Sequence, residues 1–176
     1  MRSSLRSWLL CALFAALMVI CSQLVIPLPL VPLSLSLLAV HLAGALLGPR
    51  LGAAAMAVYA LLGLVGVPVF ASFGAGAGVL FGKTGGYIWG YILAAFLTGL
   101  LARKGRGYWP TCLAMTMGTL GCYAFGTAWF MAVPGLGLWA SLGYCVLPFL
   151  PGDAAKILTA AWLAQRLRPH VERMLA

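Results

Sequence analysis

The stretch LPFLPGDAAKILTAA holds Asp153, the only aspartate in the sequence, with Lys156 three residues later. Their surroundings are almost wholly apolar or small. An i, i+3 spacing puts both side chains on one helix face. An acceptor and a donor held side by side can satisfy both edges of an amide- or urea-like group. A simpler reading also stands for Asp153. It follows Pro151-Gly152, so it lies at a helix N-terminus, where a carboxylate can cap free N–H groups. Capping does not account for Lys156, a cation disfavoured at that end; its simpler reading is a snorkelling side chain paired to Asp153. Lys83, in FGKTGG, is a further isolated charge. It is either an exposed loop lysine or a partner for a carboxylate-bearing solute. Aromatic residues accompany these charges: Phe70, Phe73, Tyr87, Trp139, Tyr144 and Phe149. A ligand pocket is mostly apolar with a few placed polar groups, which this set can supply. The competing reading is an interfacial aromatic belt, which suits Trp8 and Trp109 especially.

Other chemistry finds no support. There are no paired carboxylates, no metal-spaced His/Cys cluster and no activated nucleophile, so neither an enzyme nor a cofactor is expected. Cys11, Cys21, Cys112, Cys122 and Cys145 read as small apolar fillers. AGVLFGKT, Ala77 to Thr84, resembles a relaxed phosphate loop, but such a loop belongs between a strand and a helix. His41 stands alone in an apolar run, as a hydrogen-bonded core residue does.

The elements that position these residues must form in lipid. The 176 residues are 64% hydrophobic and 7% charged, against about 25% charged in soluble domains. One core of this size could not hide so much apolar surface. The net charge of +9 is set by short basic clusters between apolar runs, with no basic-aromatic surface for nucleic acid. Spans need about 20 apolar residues. Six candidates follow from the breakers: Trp8 to Ile26, Ser34 to Leu47, Leu51 to Val65, Thr84 to Ala102, Thr111 to Val133, and from Gly152 until the run fades after Leu163. The first is preceded by a basic start like that of a signal peptide. Its apolar run is longer than a typical h-region, and it is read as a retained span. Two long apolar connections, GVPVFASFGAGAGVLFGKTGG and PGLGLWASLGYCVLPFLPGD, cannot face lipid as loops, so they must fold over the bundle as caps.

With the N-terminus inside, Arg2, Arg6, Arg50, Arg103, Lys104, Arg106, Arg166, Arg168 and Arg173 all fall on the cytoplasmic side. That is the pattern of the positive-inside rule, and it predicts an N-in, C-in topology. Only Lys83, Asp153 and Lys156 remain for the outer side. Ionisable residues at such positions are functional candidates. In the first span Ala12 and Ala16 form a small-xxx-small pair that lets another helix approach closely.

These segments resemble the BioY family, the substrate-binding (S) components of energy-coupling factor (ECF) vitamin transporters. The resemblance runs through IPLPLVPLSLSLLAVHLAGALLGPRLGA, GLVGVPVFASFGAGAGVLFGKTGGYIWGYILAAF, YAFGTAWF and LGYCVLPFLPGDAAK. The last matches the pattern P-F-x-x-G-D-x-x-K at Pro148, Phe149, Gly152, Asp153 and Lys156. Elsewhere the chain departs from the family: Pro32, Leu33, Ser34, Leu35 and Ser36 stand where P-x-T-L-Q is usual, which removes the Gln amide at Ser36, and Lys83 stands where Pro is common. The resemblance implies an all-α integral membrane protein, one S-component domain over residues 1–176, in the bacterial cytoplasmic membrane. It implies biotin as ligand, with Asp153 and Lys156 on its polar head. Thr84, Gly86 and Tyr87 of T-G-G-Y and the glycine-rich loop would line the pocket, and the loop after the first span would act as a lid. Ala12 and Ala16 would dock on a transmembrane coupling (T) component, and two cytosolic ABC-type ATPases would complete the complex. From the residues alone, a self-sufficient secondary transporter of a small carboxylate-bearing solute is the alternative.

Overall fold

The structure is a computed structural model and describes residues 2–26, 33–105, 107–133, 135 and 137–175. The described chain is almost entirely helical. Its α-helices are α1 (Arg2–Gln23), α2 (Ser36–Leu64), α3 (Ala77–Leu80), α4 (Gly85–Ala102), α5 (Tyr108–Ala132), α6 (Leu138–Cys145) and α7 (Leu150–Leu175). A 3-10 turn covers Ala71–Phe73, and a two-residue antiparallel pair joins β1 (Val25–Ile26) to β2 (Leu33–Ser34). Among the described residues three helical segments are long and apolar enough to cross a membrane: Leu5–Gln23, Ser36–Leu64 and Gly85–Ala102.

Each departure from the expected boundaries has a local cause. Helix α1 begins at Arg2 instead of Trp8, because polar residues extend a helix beyond the apolar run that marks its span. It ends at Gln23 instead of Ile26. Ile26 precedes Pro27, and the residue before proline is driven to extended backbone, which Ile26 adopts in β1. The segment expected to act as a lid, PLPLVP, lies outside the described residues.

Helix α2 contains both expected short helices, as two arms broken at Gly48. Gly48 has φ 82° and is followed by Pro49, so a left-handed residue and a missing N–H interrupt the ladder together. The arms fold back at once: a Cβ on Gly52 would lie 2.9 Å from the Ala43 carbonyl oxygen. In an uninterrupted helix those residues would stand about 13 Å apart along the axis. Helix α4 packs between α2 and α5 at close range. A Cβ on Gly44 would fall 2.5 Å from the Ala95 oxygen, and one on Gly90 would fall 2.9 Å from the Cys122 sulfur. Small residues at crossings are what let membrane helices approach.

Both expected caps carry helical structure of their own, α3 in the first and α6 in the second. Helix α7 does not fade after Leu163; it continues through the basic tail and past Pro169 to Leu175. Fading apolarity does not end a helix, because Arg, Gln and Leu all keep good helix propensity in that tail.

Candidate functional site

One end of the bundle encloses a cavity of about 120 Å³. Helix α7 supplies Asp153 and Lys156, α5 supplies Tyr123, and α4 supplies Tyr87 with Thr84 just before it. Phe70 enters from the loop after α2, and Phe149 from the turn before α7.

Asp153 is 2% exposed and Lys156 7%. Lys156 Nζ donates to Asp153 Oδ1 at 2.6 Å. The Tyr123 hydroxyl donates to Oδ2 of the same carboxylate. Both carboxylate oxygens are therefore bonded to side chains. The Asp153 backbone N–H bonds Phe149 O at 2.8 Å, as an amide within the first turn of α7 does. Because α7 starts at Leu150 instead of Gly152, Asp153 lies inside the first turn, past the N-cap, and its side chain points to Lys156 and Tyr123. An ammonium has three donors; one of them is committed to Asp153, so others remain for a ligand. Among the described residues no buried side-chain nitrogen or oxygen lacks a partner, so the charged centre is satisfied within the protein.

The apolar wall is held rigidly. Phe70 lies edge-on to Tyr59, with ring centroids 5.5 Å apart, and its ring occupies the space a Cβ on Gly63 would need. The loop that carries Phe70 is tied to the end of α1. Ser22 donates to Val69 O at 2.6 Å. Gln23 Nε2 donates to Phe70 O at 3.1 Å, and Gln23 Oε1 accepts from the Phe73 N–H at 3.0 Å. These bonds hold Ser72 and Phe73 at φ 57° and 59°, a left-handed region that side-chain-bearing residues occupy at a cost of about 1–2 kcal/mol each. Tyr87 packs flat on α5, where a Cβ on Gly126 would fall 2.5 Å from its ring, and its hydroxyl lies 3.3 Å from Thr127 Oγ1.

Of the expected pocket residues, Asp153, Lys156, Tyr87, Thr84 and Phe70 line this cavity together. Three others do not. Phe73 is 72% exposed, because the left-handed turn directs it away from the bundle. Lys83 is exposed in the turn before α4. Gly86 is buried, but it serves the packing of α4 on α5: a Cβ there would lie 2.2 Å from Trp129 Cβ. Trp139 and Tyr144 are also exposed. Ala12 and Ala16 lie on the exposed face of α1.

Sequence reasoning missed Tyr123. Its signal was a tyrosine within YAFGTAWF, a stretch already singled out, whose hydroxyl needs a partner in an apolar helix. It also missed that Cys122 and Cys145 belong to the cavity wall. All five cysteines are free and buried, as expected of fillers. His41 is a satisfied core residue: Nδ1 lies 3.1 Å from Thr98 Oγ1 and Nε2 lies 2.9 Å from Thr119 Oγ1. AGVLFGKT lies between α2 and α4 and includes α3, and it follows helix α2 and a 3-10 turn where a phosphate loop follows a strand.

The sequence matches the family model described as "BioY family" over residues 1–173. It is 37% identical over 188 residues to the biotin transporter BioY of Thermotoga maritima, covering 96% of this chain and 100% of that protein. It is 40% identical over 159 residues to a probable biotin transporter BioY of Pyrococcus horikoshii, covering 90% and 94% respectively. Its fold is similar to the crystal structure of the S-component for biotin from an ECF-type ABC transporter, with a TM-score of 0.87, 26% identity, and coverage of 94% of this chain and 92% of that one. The match along nearly its whole length places the chain in the BioY family.

Proposed function

We propose that this chain is the biotin-binding S component of an ECF-type vitamin uptake transporter. The observation that carries the reading is the buried Asp153–Lys156 pair, braced by Tyr123, in a cavity otherwise walled by aromatic and apolar residues. Biotin's ureido ring has N–H donors and a carbonyl acceptor on one small frame. Asp153 accepts from a ureido N–H, and a remaining Lys156 donor serves the ureido carbonyl. Tyr123 fixes the carboxylate before the ligand arrives, so less ordering is needed on binding. Tyr59, Phe70, Tyr87 and Phe149 cover the apolar bicycle, and Thr84 serves the valerate side. The names of the relatives and of the S-component structure support the choice of vitamin.

The protein acts as one membrane-embedded unit over residues 1–176 and carries out no bond chemistry. The two arms of α2, together with α1, α4, α5 and α7, make six crossings of a bacterial cytoplasmic membrane. Both ends lie inside and the cavity lies near the outer face; the distribution of Lys and Arg supports this orientation. The exposed Ala12–Ala16 face of α1 is where a transmembrane coupling component docks, with two cytosolic ABC-type ATPases providing the energy.

The rival is a self-sufficient secondary transporter. Proton-coupled carriers use chains of intramembrane carboxylates or histidines. Here the Asp153 side chain bonds Lys156 and Tyr123, and both His41 nitrogens face hydroxyls. Uptake of labelled biotin into proteoliposomes decides between the two. Accumulation that needs the coupling component, both ATPases and ATP is the expected result. Full concentrative uptake by this chain alone, driven by a proton gradient, would overturn the partnership.

A further inference from the structure

A second cavity, of about 260 Å³, lies at the other end of the bundle. It is built where the first arm of α2 stops at Gly48, where α4 runs out at Arg103, and where α7 passes Arg168 and Glu172. Arg168 lies about 22 Å along α7 from Asp153, at ~1.5 Å rise per residue. The hydrocarbon core of a bilayer is about 30 Å thick. With the ligand site toward the outer face, that separation sets this cavity in the opposite half of the bilayer, toward the inner headgroups.

Its charge is unlike that of the first. Arg103 and Arg168 both line it, with Arg50 and Lys104 close by in sequence; Glu172 is the single acid. Among the described residues neither Arg103 nor Arg168 has a hydrogen-bond or ion-pair partner. Gly48 makes the placement of Arg103 possible. Its φ is 82°, and a Cβ there would lie 2.5 Å from Arg103 Nη2. The guanidinium thus lies directly on the broken turn of α2. A cation at that helix C-terminus is favourable, which accounts for Arg103 but not for Arg168 meeting it across the cavity. Two planar guanidinium forks on one open cavity match a phosphate group, whose oxygens accept paired N–H donors. Basic hollows between membrane helices at this depth are suited to anionic headgroups.

We propose that this cavity binds the phosphate of one anionic phospholipid headgroup, held between Arg103 and Arg168. The proposal is independent of the ligand bound at Asp153; only the assignment to the inner leaflet rests on the orientation given above.

The test uses the full chain in neutral detergent. Short-chain phosphatidylglycerol, short-chain phosphatidylcholine and inorganic phosphate are added separately. Bound lipid is counted by native mass spectrometry, and the thermal midpoint is followed in parallel. The wild type is expected to keep one phosphatidylglycerol and to gain thermal stability from it, with no comparable effect of the other two. The double variant Arg103→Gln/Arg168→Gln should weaken that binding at least about tenfold while keeping a single cooperative thermal transition, which certifies its fold. Arg166→Gln removes one charge from an arginine stacked on Trp162, outside the cavity, and should leave the adduct intact. If the double variant fails to fold, Arg103→Lys/Arg168→Lys serves instead. It keeps both charges, loses the paired donors, and should still weaken the adduct. Undiminished phosphatidylglycerol binding in the arginine-free cavity would overturn the proposal. So would equal loss in Arg166→Gln, equal binding of phosphatidylcholine, or the whole effect from inorganic phosphate.

Discussion

Replacing Tyr123 by Phe removes one oxygen and leaves the ring that lines the cavity. The carboxylate of Asp153 then keeps Lys156 on Oδ1 but loses its partner on Oδ2. A hydrogen bond to a charged group contributes about 1.5–3 kcal/mol. In the ligand-free protein, water in a cavity of about 120 Å³ can replace most of that bond, so the fold should lose only about 0.5–1 kcal/mol. A bound ligand expels the water and exposes the whole deficit. The difference, about 0.5–2.5 kcal/mol, corresponds to a Kd raised roughly 2- to 70-fold. Isothermal titration of purified Tyr123→Phe with biotin reads this directly. Tyr87→Phe is the comparison, because it also loses a cavity-wall hydroxyl. That hydroxyl meets neutral partners, Thr127 at 3.3 Å and the Cys145 thiol, so its Kd should change by less than about threefold, the scale of a weak neutral hydrogen bond. An unchanged affinity in Tyr123→Phe, or a larger loss in Tyr87→Phe, would refute the bracing of Asp153 by Tyr123.

Three further outcomes follow from the same geometry. Gly126→Ala pushes a methyl into the Tyr87 ring; overpacking of this kind costs about 1–3 kcal/mol, visible as a lower thermal midpoint with weaker biotin binding. Lys83→Glu should leave the Kd for biotin and for its uncharged amide within about twofold, since Lys83 is exposed and absent from the cavity wall; a loss specific to biotin would mean that Lys83 reaches the valerate carboxylate. His41→Ala strands the Thr98 hydroxyl, leaves Thr119 with only the Met115 carbonyl, and should destabilise the protein by about 2–4 kcal/mol, the scale of a buried unsatisfied group and a cavity. The surviving protein should keep the wild-type pH profile of uptake; a shifted profile would restore His41 as a proton relay.

The sequence was most legible where one residue had no other reason to be present. Asp153 and Lys156 interrupt an apolar run, and lipid as solvent makes such an interruption costly enough to be informative. The break at GPR was legible for the same kind of reason, because Gly48 and Pro49 together can only end a helix. Phe73 lies outside the cavity wall for a reason the sequence does not show, since its direction depends on two successive left-handed residues held by Ser22 and Gln23 from a distant helix. Tyr123 was missed because a tyrosine in an apolar helix looks like packing until its hydroxyl partner, 30 residues away, is known. The polar continuation of α7 escaped a reading based on apolarity, since helix and span end for different reasons.

The central claim is that a buried acid–base pair recognises the ureido head of biotin. It is tested most directly by titrating biotin into wild-type protein, Asp153→Asn and Lys156→Met side by side. Saturable one-site binding by the wild type is predicted, with each single substitution weakening it by about 1.5–3 kcal/mol, the scale of a lost hydrogen bond to a charged group. No binding of biotin by the folded wild type, or undiminished binding by both variants, would contradict the account.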